Sequence, residues 1–183
     1  LLGRGIERVF YLDLDAHHGD GVQEAFSKEP RVFTLSIHEV DRWPMSRDAL
    51  PGELGTLEDG GLGHRNLPVK AGLNDTEFEY IIEVAVLPML QAFQPQVLYC
   101  QGGCDALADD PQSKLNLSNR AIFEAIAMIR DLIPNLLVAG GGGYNPYAVG
   151  RCWAGVWATL NRFDIPKHLP EEAKVLMSEI TWR

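Results

Sequence analysis

Between Arg8 and Gly21 the sequence reads R-V-F-Y-L-D-L-D-A-H-H-G-D-G, an apolar run that ends in three carboxylates and two imidazoles. Val9, Phe10, Tyr11 and Leu12 have the composition of a strand buried on both faces. If the backbone stays extended beyond them, side chains alternate, so Asp13, Asp15 and His17 project to one side and Leu14 and Ala16 to the other. A carboxylate and an imidazole two residues apart supply the oxygen and nitrogen donors that suit Zn²⁺, Mn²⁺ or Fe²⁺, with Asp13 standing behind them. Such residues also serve as turn formers and helix caps, and Asp20 before Gly21-Val22-Gln23-Glu24 reads as an N-cap. So many ionisable groups beside a buried strand nevertheless need partners once desolvated, which favours a bound cation.

Two further stretches repeat this arrangement. The apolar run Gln96 to Gln101 ends in Gly102-Gly103-Cys104-Asp105, and Asn135 to Ala139 runs into Gly140-Gly141-Gly142-Gly143-Tyr144. For these to meet, the strands must be parallel, with their C-terminal ends on one edge of a sheet. The intervening patterns supply the crossovers. Arg31 to Ser36 is a second strand, so the first helix lies within a βαβ unit, and Leu67-Pro68-Val69 reads as a short edge strand. Asn74-Asp75-Thr76-Glu77 has the form of a capping box, Phe78, Ile81, Ile82, Ala85 and Val86 recur at helical spacing, and Pro88 should kink that helix. Ser118 should cap a helix carrying Ile122, Ile126 and Ile129. Asn145 and Pro146 fit the N-cap and first position of a last helix, in which Trp153 and Trp157 read as core residues. Alternating strands and helices predict an α/β fold of three layers, α/β/α, around a mostly parallel sheet covered on both faces. The span from Ser46 to His64 reads as a long loop, of a kind that is usually functional.

Composition narrows the function. A chain of 183 residues, 46% hydrophobic, is sized for a single domain, here residues 1–183. The net charge of −9 and the lack of a dense Lys/Arg run argue against a direct nucleic-acid ligand and favour cationic substrates. Cys100, Cys104 and Cys152 are odd in number and set among apolar or glycine residues, as in a reducing, cytoplasmic protein, and no membrane span is visible. Cys100 and Cys104 lack a second Cys/His pair and do not read as a metal site. The tetraglycine loop fails as a nucleotide cradle, because the G-x-G-x-x-G spacing is missing and Pro146 removes an amide donor. The chain opens on a strand that looks central, which leaves neighbouring strands unaccounted for and implies a domain incomplete at its N-terminus.

Five ordered motifs resemble the zinc-dependent histone deacetylase family, both its class I enzymes and its acetoin-utilisation and acetylpolyamine amidohydrolase branches. They are D-L-D-A-H-H-G-D-G at 13–21, L-S-I-H at 35–38, Q-G-G-C-D-A-L-A-D-D-P at 101–111, L-N-L-S at 115–118, and G-G-G-G-Y-N at 140–145 followed by R-C-W at 151–153. The resemblance runs from about Val9 to Trp157 and implies an arginase/deacetylase-like fold. It further implies Zn²⁺, with Fe²⁺ as the alternative, bound by Asp15, His17 and Asp105, and Tyr144 donating its hydroxyl to the oxyanion. Gly142, Gly143, Trp43 and the rim residue Gln112 would line the acyl channel. A monovalent cation, K⁺, would be held by Asp13, the Ser36 hydroxyl and carbonyls of Asp15, His17 and Ile37. The implied substrate is an acetyl-lysine peptide or a small acetylated amine.

The family's adjacent catalytic histidines, which Asp13 and Asp20 would orient, have no counterpart in this sequence. His17 is assigned to the metal, and His18, His38 and His64 read as structural or rim residues. The expectation is therefore the C-terminal part of a deacetylase catalytic domain, weak or inactive alone, with the preceding part of the domain as its partner. A non-catalytic metal-binding interaction module is the alternative. Met45-Ser46, where many relatives have a glycine-containing turn, bears on substrate choice.

Overall fold

The computed structural model describes residues 1–44 and 55–181. After a 3₁₀ turn at Leu2–Arg4 the elements are β1 (Val9–Asp13), α1 (Asp20–Phe26), β2 (Val32–Glu39), β3 (His64–Val69), α2 (Asp75–Ile81), a π-helical turn (Ile82–Val86), α3 (Leu87–Phe93), β4 (Val97–Gly102), α4 (Asn119–Arg130), β5 (Leu136–Gly140), α5 (Pro146–Leu160) and α6 (Glu171–Ser178). All pairings are parallel, in the order β3-β2-β1-β4-β5. β1 is central, as its apolar run predicted, and Pro68 lies on edge strand β3, where its missing N–H leaves no central ladder broken.

Alternation divides the sheet between two environments. Phe10, Leu12, Leu35, Ile37, Leu98 and Cys100 face a core with Phe78, Ile82, Val86 and Leu90 from the α2–α3 run and Ile122, Ile126 and Ile129 from α4. Burial on this scale stabilises by about 1.5–3 kcal/mol per large side chain. The other face presents Val9, Tyr11, Val32 and Tyr99 to Val22 and Phe26 of α1 and to Leu1 and Leu2, around a groove of about 550 Å³. Farther along that face Leu137, opposite Tyr99 in the register, is 47% exposed. The three-layer arrangement holds, but among the described residues the second helical layer is α1 alone.

Several local expectations are corrected. Gly19, not Asp20, precedes the first turn of α1; Asp20 opens the helix and its Oδ1 accepts the Gly21 N–H. Asn74 forms the full capping box with Glu77. Pro88 follows a π-helical turn, the wider winding through which helices absorb such a residue. Ser118 sits at the N-cap of α4, but its hydroxyl donates to Asp75 Oδ2 at 2.5 Å, not to its own helix. Trp153 and Trp157 are half exposed, not core: Trp153 lies over Gly140, and Trp157 lies against Phe163 with ring centroids 5.3 Å apart. No described helix is long and apolar enough to cross a membrane. The three cysteines are free and buried.

Candidate metal centre

The site forms where β1, β4 and β5 end. β1 stops at Asp13 and the chain bends through Asp15–His17, so the extended run expected there does not persist. Two successive carboxylate turns replace it: Asp13 Oδ1 accepts the Asp15 N–H at 3.1 Å, and Asp15 Oδ1 accepts the His17 N–H at 3.0 Å. Across the gap Asp105, fully buried, follows β4 after a short turn. Its Oδ1 accepts the Ala16 N–H at 2.8 Å, and its own carbonyl accepts the Ser113 hydroxyl at 2.5 Å.

Asp15, His17 and Asp105 thereby converge, each offering one donor atom, all within 4.8 Å of one another. His17 Nδ1 lies 2.8 Å from Asp105 Oδ2 and 3.1 Å from Asp15 Oδ1. Hydrogen bonds to Asp105 and Asp15 raise the His17 pKa to about 10, the response of an imidazole to two adjacent carboxylates. Burial opposes ionisation of Asp15, but hydrogen bonds from His17 and Gln101 outweigh it and lower its pKa. Asp105 is raised, first by burial and then by the neighbouring Asp15 charge. Two buried carboxylates and one imidazole drawing in positive charge fit a divalent cation, and three protein donors leave coordination positions for water or substrate.

Backbone closes the cluster from a third side. Gly142 N–H donates to Asp15 Oδ2 at 2.7 Å, and its carbonyl accepts the Cys104 N–H at 2.7 Å. A Cβ at Gly142 would overlap Asp105 Oδ2 and stand 2.8 Å from Asp15 Oδ2, and one at Gly103 would overlap the Asp15 carboxylate. Gly142, expected along an acyl channel, is part of the cradle itself. Gly143 adopts φ +143°, open to glycine, and aims the chain into Tyr144. The Tyr144 side chain is 49% exposed; burial, then the charges of Asp105, Asp15 and Asp110, raise its pKa and keep its hydroxyl a donor.

The remaining expected residues take varied places. Asp13 is buried, its Oδ2 accepts the Tyr11 hydroxyl at 2.7 Å, and burial lifts its pKa to about 7. The Ser36 hydroxyl meets His38 Nδ1 at 2.9 Å, and Ile37 is core. Asp20 stays at the start of α1, away from the three donors' hydrogen bonds. Gln112 is exposed, with its N–H on Asp110 Oδ1 at 2.8 Å, and Trp43 is 80% exposed. Met45-Ser46 lies outside the described residues. His18 bonds Gln23, His38 bonds Gly55 and His64 bonds Asp59, which supports their structural reading.

Three contributors escaped the sequence reading. Gln101 Nε2 donates to Asp15 Oδ2 at 3.0 Å while its Oε1 accepts the Gly103 N–H; strand register beside Asp13 was the available signal. Asp59 gathers Gly55, Gln23, Asn66 and His64 into one partly buried polar network, binding the loop before β3 to α1. Asp110, buried in a D-D-P turn, accepts the Tyr144 N–H at 2.6 Å.

Comparison with known proteins places this architecture in context. Residues 1–160 match the sequence profile of the histone deacetylase domain. The chain is 36% identical over 166 residues to histone deacetylase 9 of Arabidopsis thaliana, covering 90% of this chain and 38% of that protein. It is 34% identical over 169 residues to human histone deacetylase 1, covering 90% of this chain and 34% of that protein. The crystal structure of an HDAC homologue from Aquifex aeolicus superposes with a TM-score of 0.82 at 39% identity, over 97% of this chain and 48% of that one. An HDAC homologue solved in complex with SAHA matches at the same identity and TM-score. The chain thus spans between a third and a half of the length of these relatives.

Proposed function

This chain belongs to the histone deacetylase family, and from that premise we propose that it supplies the metal-holding half of an enzyme that hydrolyses an N-acetyl amide, in an acetyl-lysine peptide, an acetylated polyamine or a similar small amine. The observation that carries the reading is the convergence of Asp15, His17 and Asp105 within a glycine cradle, on the loop edge from which Gly142 leads to Tyr144. These three residues would hold Zn²⁺, or Fe²⁺ in its place. A dication held there would supply polarisation of an acyl carbonyl and acidification of a water.

The protein's own groups do the rest. Tyr144 donates its hydroxyl to the oxygen on which negative charge develops, a contribution of about 10²–10³ in kcat for one such donor. The Gly142 and Gly103 backbones keep the two carboxylates from spreading. Asp13, buried and bonded to the Tyr11 hydroxyl, backs the cluster, and with Ser36 and the carbonyls of Asp15, His17 and Ile37 it would hold K⁺. His18, His38 and His64 are bonded to Gln23, Ser36 and Asp59 and are given no proton-transfer role, so weak turnover is expected of this chain by itself.

The test uses the full-length, zinc-loaded protein on a fluorogenic acetyl-lysine peptide. Turnover is expected, and Tyr144→Phe should lower kcat by about 10²–10³ with bound metal unchanged. A full-length protein that holds zinc but turns over neither the peptide nor an acetylated polyamine would make the chain a metal-binding interaction module instead. A Tyr144→Phe variant within twofold of wild type would remove the tyrosine from the mechanism.

A further inference from the structure

Tyr144 has a half-exposed ring on a glycine-rich run, so its direction depends on what fixes its backbone. On its N-terminal side Gly143 has a conformation open to glycine, and a Cβ there would strike Val149 at 2.6 Å. On its C-terminal side Asn145 caps α5, accepting from Tyr147 and Ala148. The tyrosine's own N–H goes to neither segment. It donates to Asp110 Oδ2 at 2.6 Å, a buried carboxylate 34 residues earlier, whose Oδ1 accepts the Gln112 N–H at 2.8 Å. The neighbouring residue reinforces the join: the Asp109 carbonyl accepts Asn145 Nδ2 at 3.1 Å, and its carboxylate pairs with Arg151 at 2.9 Å. The loop that carries Asp105 is thus clamped to the loop that carries Tyr144 at the latter's own peptide nitrogen.

We propose that Asp110 is a positioning residue for the reaction: its carboxylate sets where the Tyr144 hydroxyl stands relative to the Asp15–His17–Asp105 cluster, and through Tyr144 it governs turnover. The proposal rests on the deacetylase reading above. A short hydrogen bond to a carboxylate buried on its own side is of the class whose loss moves a rate by about 10- to 100-fold when it orients a reacting group. Asp110 is not among the three donors and its carboxylate is taken up by two backbone N–H groups, so its removal should spare metal binding and KM.

The test is a double-mutant cycle in the full-length, zinc-loaded protein, comparing wild type, Asp110→Ala, Tyr144→Phe and the double variant on the acetyl-lysine peptide. Asp110→Ala is expected to lower kcat by about 10- to 100-fold, with KM within about twofold and zinc content by elemental analysis unchanged. In the Tyr144→Phe background the same change should alter kcat by no more than about twofold, because the hydroxyl it positions is gone. If Asp110→Ala does not fold, the cycle is run with Asp110→Asn, which has the same shape but keeps one acceptor for two N–H groups, and the same non-additivity is expected. Full multiplication of the two losses, or a loss traced to zinc or to KM alone, would overturn the role of Asp110 while leaving Tyr144 in place. A Tyr144→Phe variant with undiminished kcat is a different pattern, in which the reading of the tyrosine fails and this proposal falls with it.

Discussion

At the scale of single residues, the centre depends as much on atoms left out as on donors put in. Gly142 presses its backbone against both carboxylates, with its N–H on Asp15, so a methyl group there has nowhere to go. Overpacking of this kind costs about 1–3 kcal/mol. Gly142→Ala is therefore expected to weaken zinc binding by about 10- to 100-fold in a competition titration with a chromophoric chelator, with far-UV circular dichroism unchanged; wild-type affinity would show that the cradle gives way freely. The donors themselves were legible because an Asp or His just past an apolar run has few cheap explanations. The cradle was less legible: four consecutive glycines announce close approach but not what approaches. Asp110 was not legible as a clamp, since D-D-P reads as an ordinary turn and the partner lies 34 residues away.

At the scale of elements, hydrophobic period and cap chemistry located all five strands and the crossover helices. What they missed are the features decided by contacts distant in sequence. The Ser118 hydroxyl could accept an N–H of its own helix or donate to a carboxylate, and the chain folds so that it donates to Asp75, a charged partner. β2 runs on to Glu39 because its backbone stays paired with β3, His38 opposite Pro68 and Glu39 opposite Val69, while Glu39 also accepts the Lys114 N–H. The start of α2 is the converse case, fixed locally by the reciprocal Asn74 and Glu77 bonds. Asn74→Ala should therefore lower unfolding stability by about 1 kcal/mol, seen as a lower urea midpoint with an unchanged slope; a change below about 0.3 kcal/mol would mean that packing alone holds that end.

At the scale of the whole molecule, the two faces of the sheet are unequally covered. Helices α2 to α4 seal one face, whereas the other has α1 and the opening turn over β1 and β2 and leaves Leu137 half bare on edge strand β5. An uncharged L-L-V-A-G strand at an edge is a surface on which chains associate. Sedimentation velocity on the isolated chain should accordingly show concentration-dependent self-association, reduced by Leu137→Lys; a monomer at every concentration would mean the strand is adequately shielded. Tyr11 lies on the thinly covered face, the same face as Asp13 two residues on. Its ring stacks on Tyr99 on the thinly covered side, with centroids 5.8 Å apart, while its hydroxyl holds Asp13 directly behind the donor cluster. One phenol on the thinly covered face is thus bonded to the carboxylate beside the donors, so a cation bound among them is expected to perturb the ultraviolet absorption of that ring.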